Sequence, residues 1–379
     1  MPITIHGHGS ISAAAGDYVQ RKPRWSIDPA TGLPVYRISA LNPVGLSAEF
    51  VAAEQLDRSA HLALLAAERA VISADWQGKD FAILVGCSRG PTTTWETEFR
   101  RFQAQGTAAP RTSPRTTLGG IGFALARYLG VSSLATSLSV TCSSGFHALL
   151  HGVALLRAGM VDRVLVGGTE APLTDFTLRQ LQALRIYAKL PASATHACRP
   201  FADPASGMVV GEGAAFFALS CEAVVTKPTL TAVTFAQEKS PSLTGISPDG
   251  LALEHTMRQA VVEHGATPDL VIAHAPGTRR GDAAERSALN SVLENVPITS
   301  GKWATGHTFG ASGPLGLDLG LRILKRGSAK ELGYFPVKRP VESVLVNATG
   351  FGGNVVSVMA QGARPQVQKP DEALRANRV

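Results

Sequence analysis

The chain has 379 residues, of which 45% are hydrophobic and 17% charged. A sequence so apolar and so lightly charged excludes a disordered protein, and its length calls for a large α/β unit or two fused halves. The formal net charge of +7 favours acidic partners, with nucleic acid or an acidic carrier protein as the candidates.

Taken in chain order, Ile3 to Ile5 reads as a short strand running into a Gly-rich turn at Gly7 and Gly9. Residues 16–45 are Pro-rich and read as a loop. Leu56, Leu62, Leu64, Leu65 and Ala70 recur at helical spacing over 47–72. Phe81–Val85 is a buried strand, 117–129 a helix closed by Gly130, and Ala135–Val140 a second strand. A helix follows with Phe146, Leu149, Leu150, Val153 and Leu156 on one face, then strands at Val161–Val166 and Ala214–Leu219. Beyond Pro228 the alternation starts again. Strands fall at Leu230–Phe235 and 270–274, helices at 249–264, 282–293 and 312–326, and a strand pair at 343–360. Such alternation predicts a layered α/β fold. The tail from Arg364 is polar and expected to fray.

The four cysteines, Cys87, Cys142, Cys198 and Cys221, include no CxxC pair and give neither a disulfide framework nor a zinc signature. His6-Gly-His8 is too short a motif to argue for a metal. The opening MPITIHGHGS lacks the charge-then-apolar pattern of a signal peptide, and no apolar run reaches membrane-spanning length. A reduced, cytoplasmic protein is expected, with no metal. Arg100-Arg101, Arg111, Arg115 and Arg279-Arg280 form no long run. They read mainly as a solvated mixed surface, not a nucleic-acid stripe.

Cys142 stands where a buried strand turns into a helix. That position exposes a side chain at a sheet edge, puts it at a helix N-terminus that lowers a thiol pKa, and offers free N–H groups for an oxyanion. A buried, inert core cysteine is the competing reading. Gly86-Cys87-Ser88-Arg89-Gly90 also fits the G-x-S-x-G elbow of serine hydrolases, but Pro91 and three threonines stand where the elbow needs a helix. His274, in Ile272-Ala-His-Ala-Pro-Gly-Thr278, and His307, in Lys302-Trp-Ala-Thr-Gly-His307, both lie in Gly-rich turns. Neutral imidazoles there can donate hydrogen bonds to a developing enolate.

These segments together resemble the β-ketoacyl synthases, the chain-elongating branch of the thiolase-like family. The resemblance runs through Thr141-Cys142-Ser-Ser-Gly145, Gly167-Gly-Thr-Glu170, Arg199-Pro-Phe, Gly211-Glu-Gly-Ala214, the two histidine turns, Asn347 and Gly350-Phe-Gly-Gly353. It implies a duplicated five-layered α-β-α-β-α thiolase fold, with one half over residues 1–225, the other over 226–363 and a tail over 364–379. It implies a Cys142–His274–His307 site in which Cys142 takes an acyl group and the histidines promote decarboxylation of a malonyl extender. The N–H groups of Cys142 and Phe351 would bind the oxyanion, and Lys302 and Glu285 would form a supporting ion pair. Thr278 would contact the phosphopantetheine arm of an acyl carrier protein, with Thr349 and Gly350 lining the substrate channel. No cofactor beyond that carrier arm is implied. The implied assembly is a homodimer or a heterodimer with a related ketosynthase-like subunit.

Three departures stand out. Ala275-Pro276 replaces the family's usual Gly-Thr, which removes a hydroxyl and stiffens the loop. Thr349 stands where a gating Phe is common. Phe201-Ala-Asp-Pro lacks the usual Asp after Phe. They point to a specialised polyketide or aryl-polyene-type synthase. A non-catalytic partner of the chain-length-factor kind, and an acyl-transferring thioester enzyme without condensation, are the alternatives.

Overall fold

A computed structural model of the chain describes residues 2–19, 24–39, 41, 46–190, 195–239 and 247–363. The predicted polar tail and part of the predicted loop over 16–45 lie outside these residues. Ten strands build the central framework. In the first half they are β1 (Ile3–Ser12), β2 (Ala82–Gly86), β3 (Ala135–Leu138), β4 (Arg163–Glu170) and β5 (Gly213–Ser220). In the second they are β6 (Thr229–Gln237), β7 (Leu270–Ile272), β8 (Ile298–Thr299), β9 (Ser343–Gly350) and β10 (Asn354–Gln361).

The strand order is β1-β5-β4-β2-β3 in one half and β6-β10-β9-β7-β8 in the other, the same path traced twice. In both, the first two pairings are antiparallel and the last two parallel. The halves meet where Ile3 and Thr4 pair with Leu230 and Thr229. The duplicated fold expected from the resemblance is therefore present in the topology itself.

Nine helices matter for the layers: α1 (Leu46–Glu54), α2 (Arg58–Ala74), α3 (Thr92–Gln105), α4 (Gly119–Leu129), α5 (Ser144–Arg157), α6 (Asp175–Ala183), α7 (Leu251–His264), α8 (Arg279–Leu293) and α9 (Ser312–Arg326). Strand alternation sorts the core. Val164 and Val166 of β4 pack with α5 and α9 in the central layer, while Leu165 between them packs outward against α2 and α4. In the second half Val344 and Val346 face α9, and Leu345 faces α7 and α8. The α5–α9 pair is thus sheathed by strands on both sides, and α9 is buried along nearly its whole length for that reason.

Several sequence expectations change. β1 does not stop at Ile5 but continues to Ser12, and its glycines mark a contact, not a turn. A Cβ on Gly7 or Gly9 would lie 2.4 Å from the α2 backbone, so glycine lets helix and strand approach closely. The helix expected over 47–72 is two helices. Gln55 takes a left-handed φ of 49° and Asp57 caps α2 by accepting from Ser59 N at 2.8 Å. The strand predicted to reach His274 ends at Ile272, which leaves His274 in a loop. α3 and α6 were not anticipated. α3 begins one residue after Pro91, which suits a first-turn neighbour, so a helix does follow the Ser88 turn. No described helix is long and apolar enough to cross a membrane.

Candidate active site

Cys142 lies in the turn between β3 and α5, directly after Thr141, which has φ +49°. A β-branched residue in the left-handed region is strained and needs holding. Thr141 Oγ1 donates to the Phe351 carbonyl at 3.0 Å, and Asn354 Nδ2 donates to the same oxygen at 3.3 Å. These bonds tie the nucleophile turn to the hairpin between β9 and β10. Gly350 in that hairpin admits no larger residue. Its Cβ would sit 2.2 Å from Thr141 Oγ1 and 3.1 Å from Cys142 N.

Burial pushes the Cys142 thiol up to about 12, and the Glu170 carboxylate adds to the rise. The Phe351 N–H, Lys302 and the N–H of Cys142 itself pull in the opposite direction. The lowered thiol pKa expected from the helix N-terminus is therefore not found, because desolvation outweighs the helix and its donors. Both expected oxyanion donors nonetheless face the sulfur.

His274 is held through its backbone. Glu285 on α8 accepts from His274 N at 2.9 Å and Ala275 N at 2.7 Å, and also from Asn347 Nδ2 at 3.0 Å. This carboxylate is fully engaged, and it makes no ion pair within 4 Å of Lys302 among the described residues. The contact pair expected between Lys302 and Glu285 is replaced by longer-range attraction, since Glu285 spends its oxygens on N–H groups. Burial lowers Lys302 to about 8, and Glu285 opposes the fall.

His307 sits in a loop that pairs with the first half, with its N–H donating to Val209 O at 2.7 Å. Its Nδ1 accepts from Phe309 N at 3.2 Å, which fixes the neutral ring with its proton on Nε2. Burial, then the Lys302 charge, brings His307 down to about 3 and His274 well below its ordinary value. The two rings meet edge to face with centroids 5.3 Å apart. His274 Nδ1 is buried without a hydrogen-bond partner. Both imidazoles are thus neutral and both are adjacent.

One cavity of about 1210 Å³ collects Cys142, His274, His307, Thr278, Thr349, Gly350 and Phe351. Thr278 also caps α8, accepting from Gly281 N at 3.3 Å. Lys302 and Glu285 stand behind the histidines and do not line it. Ser88 does not line it either; its N–H donates to Glu170 at 2.8 Å.

Sequence reasoning passed over three features here. Glu170, quoted only as part of a motif, is buried and accepts from Ser88, Arg89 and Gly310 N–H groups, joining the end of β2 to the His307 loop. Burial raises it to about 7. Asp282 on α8 accepts from Phe201 N at 2.7 Å and Gly277 N at 2.9 Å, clamping a loop of the first half to the His274 loop. Arg185, Lys189, Arg199, Lys239, Arg279 and Arg280 all line the cavity, whereas no Asp or Glu among the described residues does. Arg279-Arg280 is thus part of a basic mouth, gathered from distant segments that no run of charge could reveal.

The profile of the β-ketoacyl synthase N-terminal domain matches residues 19–223, and that of the C-terminal domain residues 229–331. The chain belongs to the β-ketoacyl synthase family. It is 27% identical to the tetracenomycin polyketide synthase ketoacyl synthase alpha subunit of Streptomyces glaucescens, over 82% of this chain and 83% of that one. Among solved structures it resembles a chain of the complex between a type II polyketide synthase acyl-carrier protein and its ketosynthase, with a TM-score of 0.82 at 18% identity over 95% of this chain and 99% of that one. It also resembles a chain of the complex between a ketosynthase and its chain length factor from Xenorhabdus doucetiae, with a TM-score of 0.79 at 22% identity over 96% and 98%.

Proposed function

We propose that this chain is an active β-ketoacyl-[acyl carrier protein] synthase, with Cys142 as nucleophile and His274 and His307 as donors to the extender. The observation that carries the reading is the single cavity. It brings together one thiol, two N–H groups facing that thiol, and two neutral imidazoles.

In the first stage Cys142 Sγ attacks an acyl thioester. The new C–S bond forms first, the carrier C–S bond breaks as the tetrahedral intermediate collapses, and the Cys142 proton ends on the departing carrier thiol. Burial disfavours a free thiolate, so the proton must leave Sγ as the attack proceeds. The tetrahedral oxyanion is received by the Cys142 and Phe351 N–H groups. In the second stage a malonyl thioester loses carbon dioxide, and its enolate oxygen is held by His307 Nε2–H and a ring N–H of His274. Neutral donors serve here without a permanent charge competing for the carboxylate. The enolate carbon then attacks the acyl-Cys142 carbonyl. Cys142 leaves as thiolate, takes a proton, and a 3-oxoacyl carrier is released.

The basic mouth, with no Asp or Glu among its described residues, suits a carrier arm with its phosphate and an acidic carrier protein. Structural relatives include a ketosynthase with its carrier protein and a ketosynthase with its chain length factor. We infer the same kinds of partner here, in fatty-acid or polyketide synthesis. A non-catalytic partner subunit would need none of the three site residues, and all three are placed together. Incubation with an acyl carrier and a malonyl carrier, followed by mass spectrometry, tests the reading. A 3-oxoacyl carrier is expected. Its absence, with Cys142 unacylated by every donor and any co-encoded subunit supplied, would overturn it.

A further inference from the structure

We propose that the Phe309 side chain is the stop of the acyl pocket and restricts the group carried on Cys142 to short acyl chains. This deepens the condensing reading and rests on it. Phe309 lies two residues beyond His307, lines the cavity beside Cys142, and is only 4% exposed. Its ring stands edge-on to His307, with centroids 5.0 Å apart.

What lies behind the ring decides the matter. Phe309 and Cys142 belong to one apolar cluster with Tyr187, Met208, Val35, Leu178, Leu181 and Val210. Tyr187 and Met208 face the cavity as Phe309 does. Val35, Leu178, Leu181 and Val210 do not; they form the layer behind. The Tyr187 hydroxyl is already spent, donating to Pro34 O at 2.7 Å. The cavity therefore meets an aromatic ring that has the aliphatic side chains Val35, Leu178, Leu181 and Val210 packed with it. That layer is suited to an alkyl chain but reached only if the ring is absent. The ring has little freedom to swing aside. The Phe309 backbone is in the left-handed region at φ +40°, and its N–H is held by His307 Nδ1. Close packing inside proteins makes such a stop sharp, because each additional methylene must displace packed atoms.

The test is the half-reaction. Wild type, Phe309→Leu and Phe309→Ala are incubated with acetyl, hexanoyl and dodecanoyl thioesters, and acylation of Cys142 is followed by intact mass. A Cys142→Ala variant supplies the blank. Wild type is expected to take acetyl in clear preference to dodecanoyl. Each variant should raise the dodecanoyl-to-acetyl rate ratio by about tenfold or more, the scale on which one or two methylenes are discriminated in an apolar pocket. The leucine variant retains an apolar side chain and the backbone bond to His307, so it reports even if the alanine variant does not fold. Equal wild-type rates for all donors, or an unchanged ratio in a folded leucine variant, would overturn the inference while leaving Cys142 as nucleophile. No acylation by any donor would instead strike at the condensing reading itself.

Discussion

His274 and His307 are the residues whose chemistry depends most on where they are buried. An exposed histidine titrates near 6.5 and would lose its neutral form as pH falls through that value. Burial holds His307 near 3 and His274 well below its ordinary value, so both remain neutral donors in weak acid. In a Cys142→Ala background, which isolates decarboxylation, carbon dioxide release from a malonyl thioester should be flat from about pH 5 to 7. A fall centred near 6.5 would show at least one ring exposed to water. Gly350 offers a second check at the same scale. Gly350→Ala drives a Cβ into Thr141 and toward Cys142 N, so the nucleophile turn must shift. We expect a loss of about 1–3 kcal/mol in denaturant unfolding, as for other overpacked sites, and a larger proportional loss of Cys142 acylation.

Elements are locked to one another by buried polar groups rather than by apolar contact alone. Glu212, at the entry to β5, is fully buried and receives Arg58 at the start of α2 through two bonds of 2.7 and 2.6 Å. It also accepts from Ile38 N at 2.8 Å. Removing one partner of such a pair leaves the other charge uncompensated. Arg58 is partly exposed and can be solvated again, so Glu212→Ala should cost about 1–3 kcal/mol in chemical denaturation, mainly through the Ile38 N–H left without its acceptor. Arg58→Met combined with Glu212→Leu leaves the same N–H unpaired and should cost about as much, and a distinctly smaller loss would show that the Arg58 charge dominates. Legibility follows the same division. Strands such as β4 and β5 and helices such as α5 and α9 announced themselves through runs and periods of apolar residues. α3 did not, because Thr92–Gln105 exposes Trp95, Phe99 and Phe102 while only Thr94 and Glu96 are buried. The break at Gln55 rests on one left-handed residue inside a helical pattern, which periodicity cannot register.

For the whole molecule, the site exists only because the duplicated halves dock face to face. Cys142 comes from the first half, and His274, His307 and Phe351 from the second. The order of motifs along the chain singled out these residues, which one cavity gathers. It could not show that Glu285 would hold the His274 backbone instead of meeting Lys302. Nor could it show that six basic side chains would converge on one mouth, because both outcomes depend on distances between remote segments. Condensation is tested most directly by giving wild type and the Cys142→Ala variant the same acyl and malonyl carriers. Carbon dioxide and 3-oxoacyl product are then measured together. Wild type should yield both, and Cys142→Ala should release carbon dioxide without product. Product from Cys142→Ala, or carbon dioxide release that survives loss of both His274 and His307, would contradict the assignment of the site.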